Sequence, residues 1–423
     1  MMDQLIRMFN SKNYYLIKLL LLGLISGLAF TLVTFTIPYH LTISGYPTHI
    51  IGVIFLASLP YCFKPVWAPF IDNYSIPVFC KKLGQRRGWA LVTQTSLTLS
   101  TSTLLIISPP QHLSITAILA FIISFCAATQ DIIVDAYRIE ITKTKPELAI
   151  SATFSVVGFR IGILIGSVGA LYLSYIFGWY FVYLATTFLT LIGLPVILYI
   201  KEPILKVVQQ VATNKISFKQ YFIVIHNSIL TLKHNQPHWK LIMLFIILYK
   251  ASDVIPMAMS SPLFIDLSFT SLEIANISKA YGLLVMILGT FLGGLLVSKL
   301  GAFKGIIICG CIQTLSPIMF LLLSMVGHNI NIFITTITLQ NFCCGLGSTA
   351  LVIYFSTICS NEFIATQFAI IASFSSLVRI FLSSISSFLV SYCEWTQFFL
   401  FNAILSILFI PIFLKAHKIP SNH

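Results

Sequence analysis

Two aspartates lie one helical turn apart at the end of a long apolar stretch. The stretch runs from Ile115 to Ala128 and is followed at once by Asp131 and Asp135. Residues four positions apart share one face of a helix, and Arg138 continues that face. Ionisable side chains are costly inside a bilayer and usually mark the path of an ion or a substrate. The spacing predicts a proton-coupling pair. The alternative is that Asp135 and Arg138 form a salt bridge that only steadies the helix.

Three basic side chains also fall deep inside apolar segments. Arg160 lies about eleven residues into its segment, ~16 Å at 1.5 Å per residue, and Lys250 and Arg379 are placed similarly. Such side chains reach the membrane surface only from near the helix ends, so these three need a watery cavity or an acidic partner such as Asp253. They predict a cationic central cavity for an anionic solute, with Asp253 as a further proton carrier. Buried ion pairs that hold the helices in register are the alternative.

The composition identifies the class of protein that holds these residues. Of 423 residues, 57% are hydrophobic and only 9% are charged, against about a quarter in soluble domains. The formal charge of +13 comes from short loops between apolar segments, which is the positive-inside pattern and not a nucleic-acid-binding surface. The cysteines form no CxxC pair and the histidines lack metal-ligand spacing, so no metal or cofactor is predicted. HExxH, GxSxG and P-loop motifs are absent, which argues against an enzyme.

Twelve apolar segments are long enough to cross a bilayer, which takes about 20 residues. They are predicted at 14–38, 49–71, 89–108, 114–137, 149–173, 178–200, 239–265, 275–298, 304–326, 331–357, 365–391 and 396–415. Basic residues occupy alternate loops, so both termini are expected to face the cytoplasm. The predicted fold is an all-α membrane protein with twelve transmembrane helices in two six-helix bundles, residues 1–200 and 239–423. Residues 201–238 are predicted to be a cytoplasmic linker.

A faint internal repeat relates the two predicted bundles. Residues 125–128, Phe-Cys-Ala-Ala, resemble residues 342–345, Phe-Cys-Cys-Gly. A Phe-Ser pair also precedes both Arg160 and Arg379. Equivalent positions in two halves predict a pseudo-twofold axis along the membrane normal, with a binding site at the midplane.

Charged residues at the ends of the segments predict a cytoplasmic gate. Residues 294–304 resemble the loop G-x-x-x-D-[RK]-x-G-x-[RK]-[RK] of the major facilitator superfamily, and an expanded form follows the second segment. An acid that faces a basic cluster can separate and pair again during a conformational change. The predicted gate residues are Asp72, Arg86, Arg87 and Arg138. The alternative for Arg86 and Arg87 is that they only fix the orientation, while Lys64 is expected to make a structural contact near the cytoplasmic ends.

Several separate motifs resemble the AmpG-type muropeptide permeases. Residues 130–138, Gln-Asp-Ile-Ile-Val-Asp-Ala-Tyr-Arg, resemble the family signature QDIxxDA, and residues 248–253 match LYKxxD. Residues 63–72, 341–347 and 365–369 continue the resemblance in chain order. The similarity therefore extends over nearly the whole chain.

This resemblance implies a monomeric transporter in the lipid bilayer of the bacterial cytoplasmic membrane. Its substrate would be an anionic glycopeptide, N-acetylglucosaminyl-1,6-anhydro-N-acetylmuramyl peptide from cell-wall turnover, imported with protons by alternating access. The three deep basic residues would neutralise its carboxylates. Its sugar hydroxyls would bind the amides and phenol of Gln130, Tyr249, Gln340 and Asn341.

Two departures from the family pattern keep other functions open. Gln340 stands where the family often has Glu, and the basic run near residues 81–85 is interrupted. Another bulky anionic solute, similar to acetyl-coenzyme A, is one alternative substrate. A transport-inactive sensor that signals through residues 201–238 is another possible function.

Overall fold

The protein is all-helical in the part of the chain that the computed structural model describes, residues 14–46, 54–203, 218–236, 238–270, 273–359, 363–390 and 392–418. In chain order the helices are α1 Tyr14–Ile43, α2 Ile54–Val66, α3 Ala68–Asn73, α4 Phe79–Leu83, α5 Gln85–Ile107, α6 Leu113–Glu140, α7 Lys145–Phe177, α8 Trp179–Tyr199, α9 Phe218–Asn235, α10 Trp239–Asp266, α11 Asn276–Leu300, α12 Ala302–Val326, α13 Ile330–Ile358, α14 Ile364–Val390 and α15 Trp395–His417.

Eleven helices within these ranges are long and apolar enough to cross a membrane. They are α1, α5 to α8 and α10 to α15, and they coincide with eleven of the twelve predicted segments to within a few residues at most ends. The prediction of an all-α membrane fold is confirmed.

The second predicted segment, 49–71, is not one continuous helix. The structure has the short apolar helix α2, then a break at Trp67, then α3, while residues 47–53 lie outside the described ranges. Three prolines, Pro60, Pro65 and Pro69, lie in this part of the chain. Because proline lacks an N–H donor and its ring crowds the preceding turn, it interrupts a helix. The interruption leaves Lys64 at the start of a single 3₁₀ turn, Lys64–Val66.

Small residues bring α1 and α7 into direct backbone contact. A Cβ atom added to Gly23 would lie 2.2 Å from the Ser155 carbonyl oxygen, and one added to Gly27 would lie 2.0 Å from that of Phe159. Helices in a membrane associate through such close packing because lipid offers no hydrophobic driving force between them. The crossing places Arg160, the residue after Phe159, close to the level of Gly27.

The chain forms two compact units. The first comprises Met1–Lys143, Phe154–Asn227 and Asn361–Ile370, and the second comprises Thr144–Thr153, Ser228–Ser360 and Ile371–His423. Helix α9 lies within the segment that the sequence analysis assigned to a linker, residues 201–238. The division into bundles of residues 1–200 and 239–423 stays a prediction.

Candidate functional site

Asp131 is held by an ion pair and a hydroxyl in the first compact unit. The Lys64 ammonium lies 2.7 Å from Asp131 Oδ2, and the Ser26 hydroxyl donates to Oδ1. The two charged side chains keep 15% and 17% of their surface accessible, so the rest of the protein does not seal the pair. The sequence predicted a structural contact for Lys64, and the structure gives Asp131 as its partner.

Asp135 and Arg138 form a salt bridge, which the sequence left as the alternative to a proton-coupling role for Asp135. Arg138 Nε donates to Asp135 Oδ1 at 2.9 Å, and the guanidinium is completely buried. It also stacks over the ring of Phe368, which belongs to the first compact unit, with 5.0 Å to the ring centroid. The buried guanidinium stabilises the end of α6, while Asp135 keeps about a quarter of its side chain exposed.

Arg86 lies at the centre of a buried network that holds the predicted gate residue Asp72. Its Nη2 atom donates to Asp72 Oδ1 at 2.9 Å and to Glu140 Oε1 at 2.5 Å, and its Nε donates to Glu140 Oε2 at 3.0 Å. The other oxygen of Asp72 accepts the Thr366 backbone N–H at 2.9 Å and its hydroxyl at 2.6 Å. A single guanidinium therefore pairs with two carboxylates, and one of these carboxylates anchors the first turn of α14.

Glu202 caps the beginning of α5. Its carboxylate accepts the backbone N–H groups of Arg86 at 2.8 Å and Arg87 at 3.0 Å, two of the first donors of the helix. Gly84, with φ of +95°, makes this approach possible, because a Cβ there would lie 2.3 Å from the Glu202 side chain. Burial raises the pKa of Glu202, and the two backbone hydrogen bonds oppose that rise.

The side chain of Arg87 binds the end of α8. Among the described residues, it contacts neither Asp72 nor Glu140. Its guanidinium donates to the backbone carbonyls of Ile197, at 3.3 Å, and Leu198. Cations are favourable at the carboxyl end of a helix, where the last carbonyls lack partners. Arg86 and Arg87 are adjacent in sequence, yet the first joins buried acids and the second fastens a helix end.

A second cluster of acid, base and amide lies in the second compact unit. The Lys250 ammonium is 3.8 Å from Asp253 Oδ2, and the Cys344 thiol is also 3.8 Å from that oxygen. Gln340 donates to the Asp253 backbone carbonyl at 3.3 Å and accepts from the Ser316 hydroxyl. The Lys250 ammonium therefore lies farther from its acid than that of Lys64, which is 2.7 Å from Asp131.

The remaining predicted polar ligands have partners inside their own unit. Gln130 is buried and donates to Gln94 at 2.6 Å. Tyr249 is buried and donates to the Gly347 carbonyl at 3.2 Å, and the Asn341 amide donates to a carbonyl of its own helix at 3.0 Å. A role for these three in substrate binding stays a prediction, and it would require the present contacts to open.

The two arginines predicted to lie near the bilayer centre differ in exposure. Arg160 is half-buried on α7 in the first unit, and Arg379 is exposed in the middle of α14 in the second. An exposed guanidinium is unfavourable in hydrocarbon, so a water-filled route beside α14 stays a prediction. The convergence of Arg160, Lys250 and Arg379 on one chamber stays a prediction.

Sequence reasoning missed Glu140 and Glu202 as partners of the gate arginines. Both acids lie at the ends of apolar helices, where a charged residue gives no signal beyond that of a helix boundary. Lys64 lies inside an apolar segment, next to Pro65, and this position indicates that the lysine needs a partner. It does not identify Asp131 as that partner.

Comparisons with known proteins agree with this architecture. The sequence model of the Major Facilitator Superfamily matches residues 19–252 and 241–422. The crystal structure of the fucose:proton symporter FucP of Escherichia coli superposes with a TM-score of 0.69 over 97% of this chain and 99% of that one. At 13% sequence identity, this likeness concerns the fold alone.

Two relatives place the chain more narrowly. AmpG 3 of Rickettsia typhi, a putative transporter, is 56% identical over 407 residues, 96% of this chain and 97% of that protein. The anhydromuropeptide permease of E. coli is 30% identical over 409 residues, 95% of this chain and 79% of that protein. The chain therefore belongs to the Major Facilitator Superfamily of multi-span membrane transporters and, within it, to the AmpG-type family.

Proposed function

We propose that this transporter imports anhydro-muropeptides across the bacterial cytoplasmic membrane by proton symport, for recycling of cell-wall fragments. The observation that carries the proposal is the 30% identity over 95% of the chain with a protein named anhydromuropeptide permease. The charge pattern of the spans supports it independently, because paired acids and bases at this depth suit an anionic solute and a proton.

The proposed substrate site uses the three basic residues that lie deep inside apolar segments. Lys250, Arg160 and Arg379 neutralise the carboxylates of the peptide stem, and Lys250 is suited to this because its own acid is 3.8 Å away. Gln340 and Asn341 would hydrogen-bond the sugar hydroxyls, as would Gln130 and Tyr249 once their internal contacts open. Asp131, Asp135 and Asp253 are the candidate proton carriers.

The proposed conformational change is alternating access, in which a midplane site opens to one side of the membrane at a time. The network of Asp72, Arg86 and Glu140 would close the cytoplasmic side through the contact of Asp72 with Thr366. Both chain termini would face the cytoplasm, as the distribution of basic loop residues suggests. The transporter would act as a monomer.

Uptake into proteoliposomes tests this function. Vesicles with the purified protein and an inward proton gradient should accumulate radiolabelled anhydro-muropeptide, and a protonophore should abolish the accumulation. Asp131→Asn should accumulate no substrate, since the carboxylate that carries the proton is gone. Wild-type accumulation by this variant would remove Asp131 from the mechanism.

The same vesicles separate the other functions. Competition by acetyl-coenzyme A, with no uptake of muropeptide, would indicate a different bulky anionic substrate. Saturable muropeptide binding without flux in either direction would indicate a sensor, and would contradict transport.

A further inference from the structure

The pair of Lys64 and Asp131 joins a broken helix to the middle of α6. Pro60 and Pro65 interrupt the second segment, so Lys64 begins a 3₁₀ turn and its ammonium reaches Asp131 Oδ2 at 2.7 Å. The ammonium also lies 5.2 Å from the ring centroid of Tyr61. A side chain at a break in a helix can move with fewer hydrogen bonds to disturb than one inside a continuous helix.

Other ionisable groups surround the pair. Asp135 and Arg138 follow Asp131 on α6 and are paired with each other, while Tyr61 on α2 interacts with Asp131 electrostatically. Helix α1 contributes only the Ser26 hydroxyl to Asp131 among the contacts of the described residues. Across the glycine crossing of α1 and α7, Arg160 lies near the same level and has contacts of its own.

The net charge of the Lys64–Asp131 pair links proton binding to the binding of an anionic group. With Lys64 bound to Asp131, the pair is neutral. A proton added to Asp131 alone leaves a net charge of +1, and an anionic group added to Lys64 alone leaves −1. Adding both restores neutrality. Because a net charge on groups that are mostly buried is costly, the neutral states are favoured.

We propose that Lys64 alternates between Asp131 and a carboxylate of the substrate, and so couples proton binding to substrate binding. This inference rests on the proposed function. A proton from the outer solvent binds an oxygen of the Asp131 carboxylate, and the freed Lys64 ammonium then pairs with a carboxylate of the entering glycopeptide. When the substrate leaves to the cytoplasm, Lys64 returns to Asp131 and the proton passes to cytoplasmic water.

The two exposures fit this role better than a purely structural one. Lys64 and Asp131 keep 15% and 17% of their side-chain surface, whereas Arg86 and Asp72 keep 4% and 5%. A pair that only held helices together would be expected to be sealed in the same way as Arg86 and Asp72. Exchange of protons and ligands requires this access.

Two transport modes of the same proteoliposomes test the proposal. Counterflow, the exchange of labelled for unlabelled anhydro-muropeptide at equal pH, reports substrate binding and movement without proton-driven accumulation. Asp131→Asn should retain counterflow, with a rate that no longer depends on pH, and should lose accumulation, because Lys64 is then always available to the substrate. Loss of both modes by a correctly folded Asp131→Asn protein would overturn the proposal.

Substitutions of Lys64 provide the matched comparison. Lys64→Gln should raise the KM for counterflow at least about tenfold, the effect of losing about 1.4 kcal/mol, and should shift the pH profile of uptake toward alkaline values. Lys64→Arg keeps the charge and should retain most of the affinity. Thermal melts in detergent separate these effects from misfolding.

The proposed function and the exchange of Lys64 fail in different experiments. No muropeptide uptake by the wild-type protein would refute the proposed function itself. Normal proton-driven uptake by the wild type together with an unchanged KM and pH profile in Lys64→Gln would refute the exchange of Lys64 alone. Equal losses in Lys64→Gln and Lys64→Arg would show that the fit of the side chain matters and its charge does not, which also contradicts the proposal.

Discussion

Replacement of Arg86 by glutamine should destabilise the protein. Among the basic residues near the ends of the described helices, this replacement should cost the most free energy. Only 4% of the Arg86 side-chain surface is accessible. Arg86 forms ion pairs with Asp72 and Glu140, whose side chains are 5% and 7% accessible. Its removal leaves two buried carboxylates without a cation. Breaking a buried pair in this way costs about 3–5 kcal/mol, most of which is the penalty for the unpaired charge left behind.

The neighbouring Arg87 supplies the matched control. It is half-buried and binds only backbone carbonyls at the end of α8, so Arg87→Gln should cost about 1 kcal/mol or less. Unfolding by sodium dodecyl sulfate in mixed micelles, followed by circular dichroism, measures both free energies. Similar small losses for the two variants would refute the assignment of the buried network to Arg86.

A neutral network should recover most of the lost stability. In the triple variant Arg86→Gln, Asp72→Asn, Glu140→Gln no charge remains in this buried network, and amides can still donate and accept hydrogen bonds. Replacement of a whole buried ionic cluster by neutral groups is often close to neutral in free energy. If the triple variant is no more stable than Arg86→Gln alone, unpaired charge is not the cause of the loss.

Two further predictions concern pH and packing. Burial raises the pKa of Glu202 above its usual 4.5, so the folded protein holds this proton more tightly than the unfolded chain does. Protonation of Glu202 therefore stabilises the folded protein fully below pH 4.5, and this stabilisation is lost as the pH rises through the folded-state pKa. Glu202→Gln should remove this part of the pH dependence in thermal melts. An unchanged dependence of the melting temperature on pH would contradict burial of Glu202 as its cause. Gly27→Ala should cost about 1–3 kcal/mol, because its Cβ would lie 2.0 Å from the Phe159 carbonyl oxygen. The control Gly169→Ala, where the nearest atom is 3.8 Å away, should change the unfolding free energy little, and equal losses would refute the packing argument.

The proposed gate and the proposed coupling pair differ in how their charges are buried. Arg86 is sealed among two acids and a helix terminus, so its contacts form a stable closed arrangement. Lys64 pairs with one acid and keeps 15% of its side-chain surface, which suits the exchange proposed for it. Both basic residues contact an acid of α6, and they differ in burial.

The sequence alone was sufficient for the class of fold and for the family. Helices in hydrocarbon must satisfy their backbone hydrogen bonds internally, so length and hydropathy locate them directly. Eleven spans and the contact of Asp135 with Arg138 followed from patterns within single helices. The second span was the exception. Its prolines are visible in the sequence, but hydropathy does not show whether they divide the helix.

Only the tertiary structure decided which charges meet across helices. Lys64 and Asp131 are 67 positions apart, Arg86 and Glu140 are 54 apart, and Asp72 and Thr366 are 294 apart. Periodicity gives the face and depth of a residue on its own helix, but the partner depends on how helices rotate and cross when their small residues pack. Ser26 lies on α1, whose glycines pack against α7, and its hydroxyl reaches Asp131 of α6. No local pattern in α1 or α6 predicts this contact.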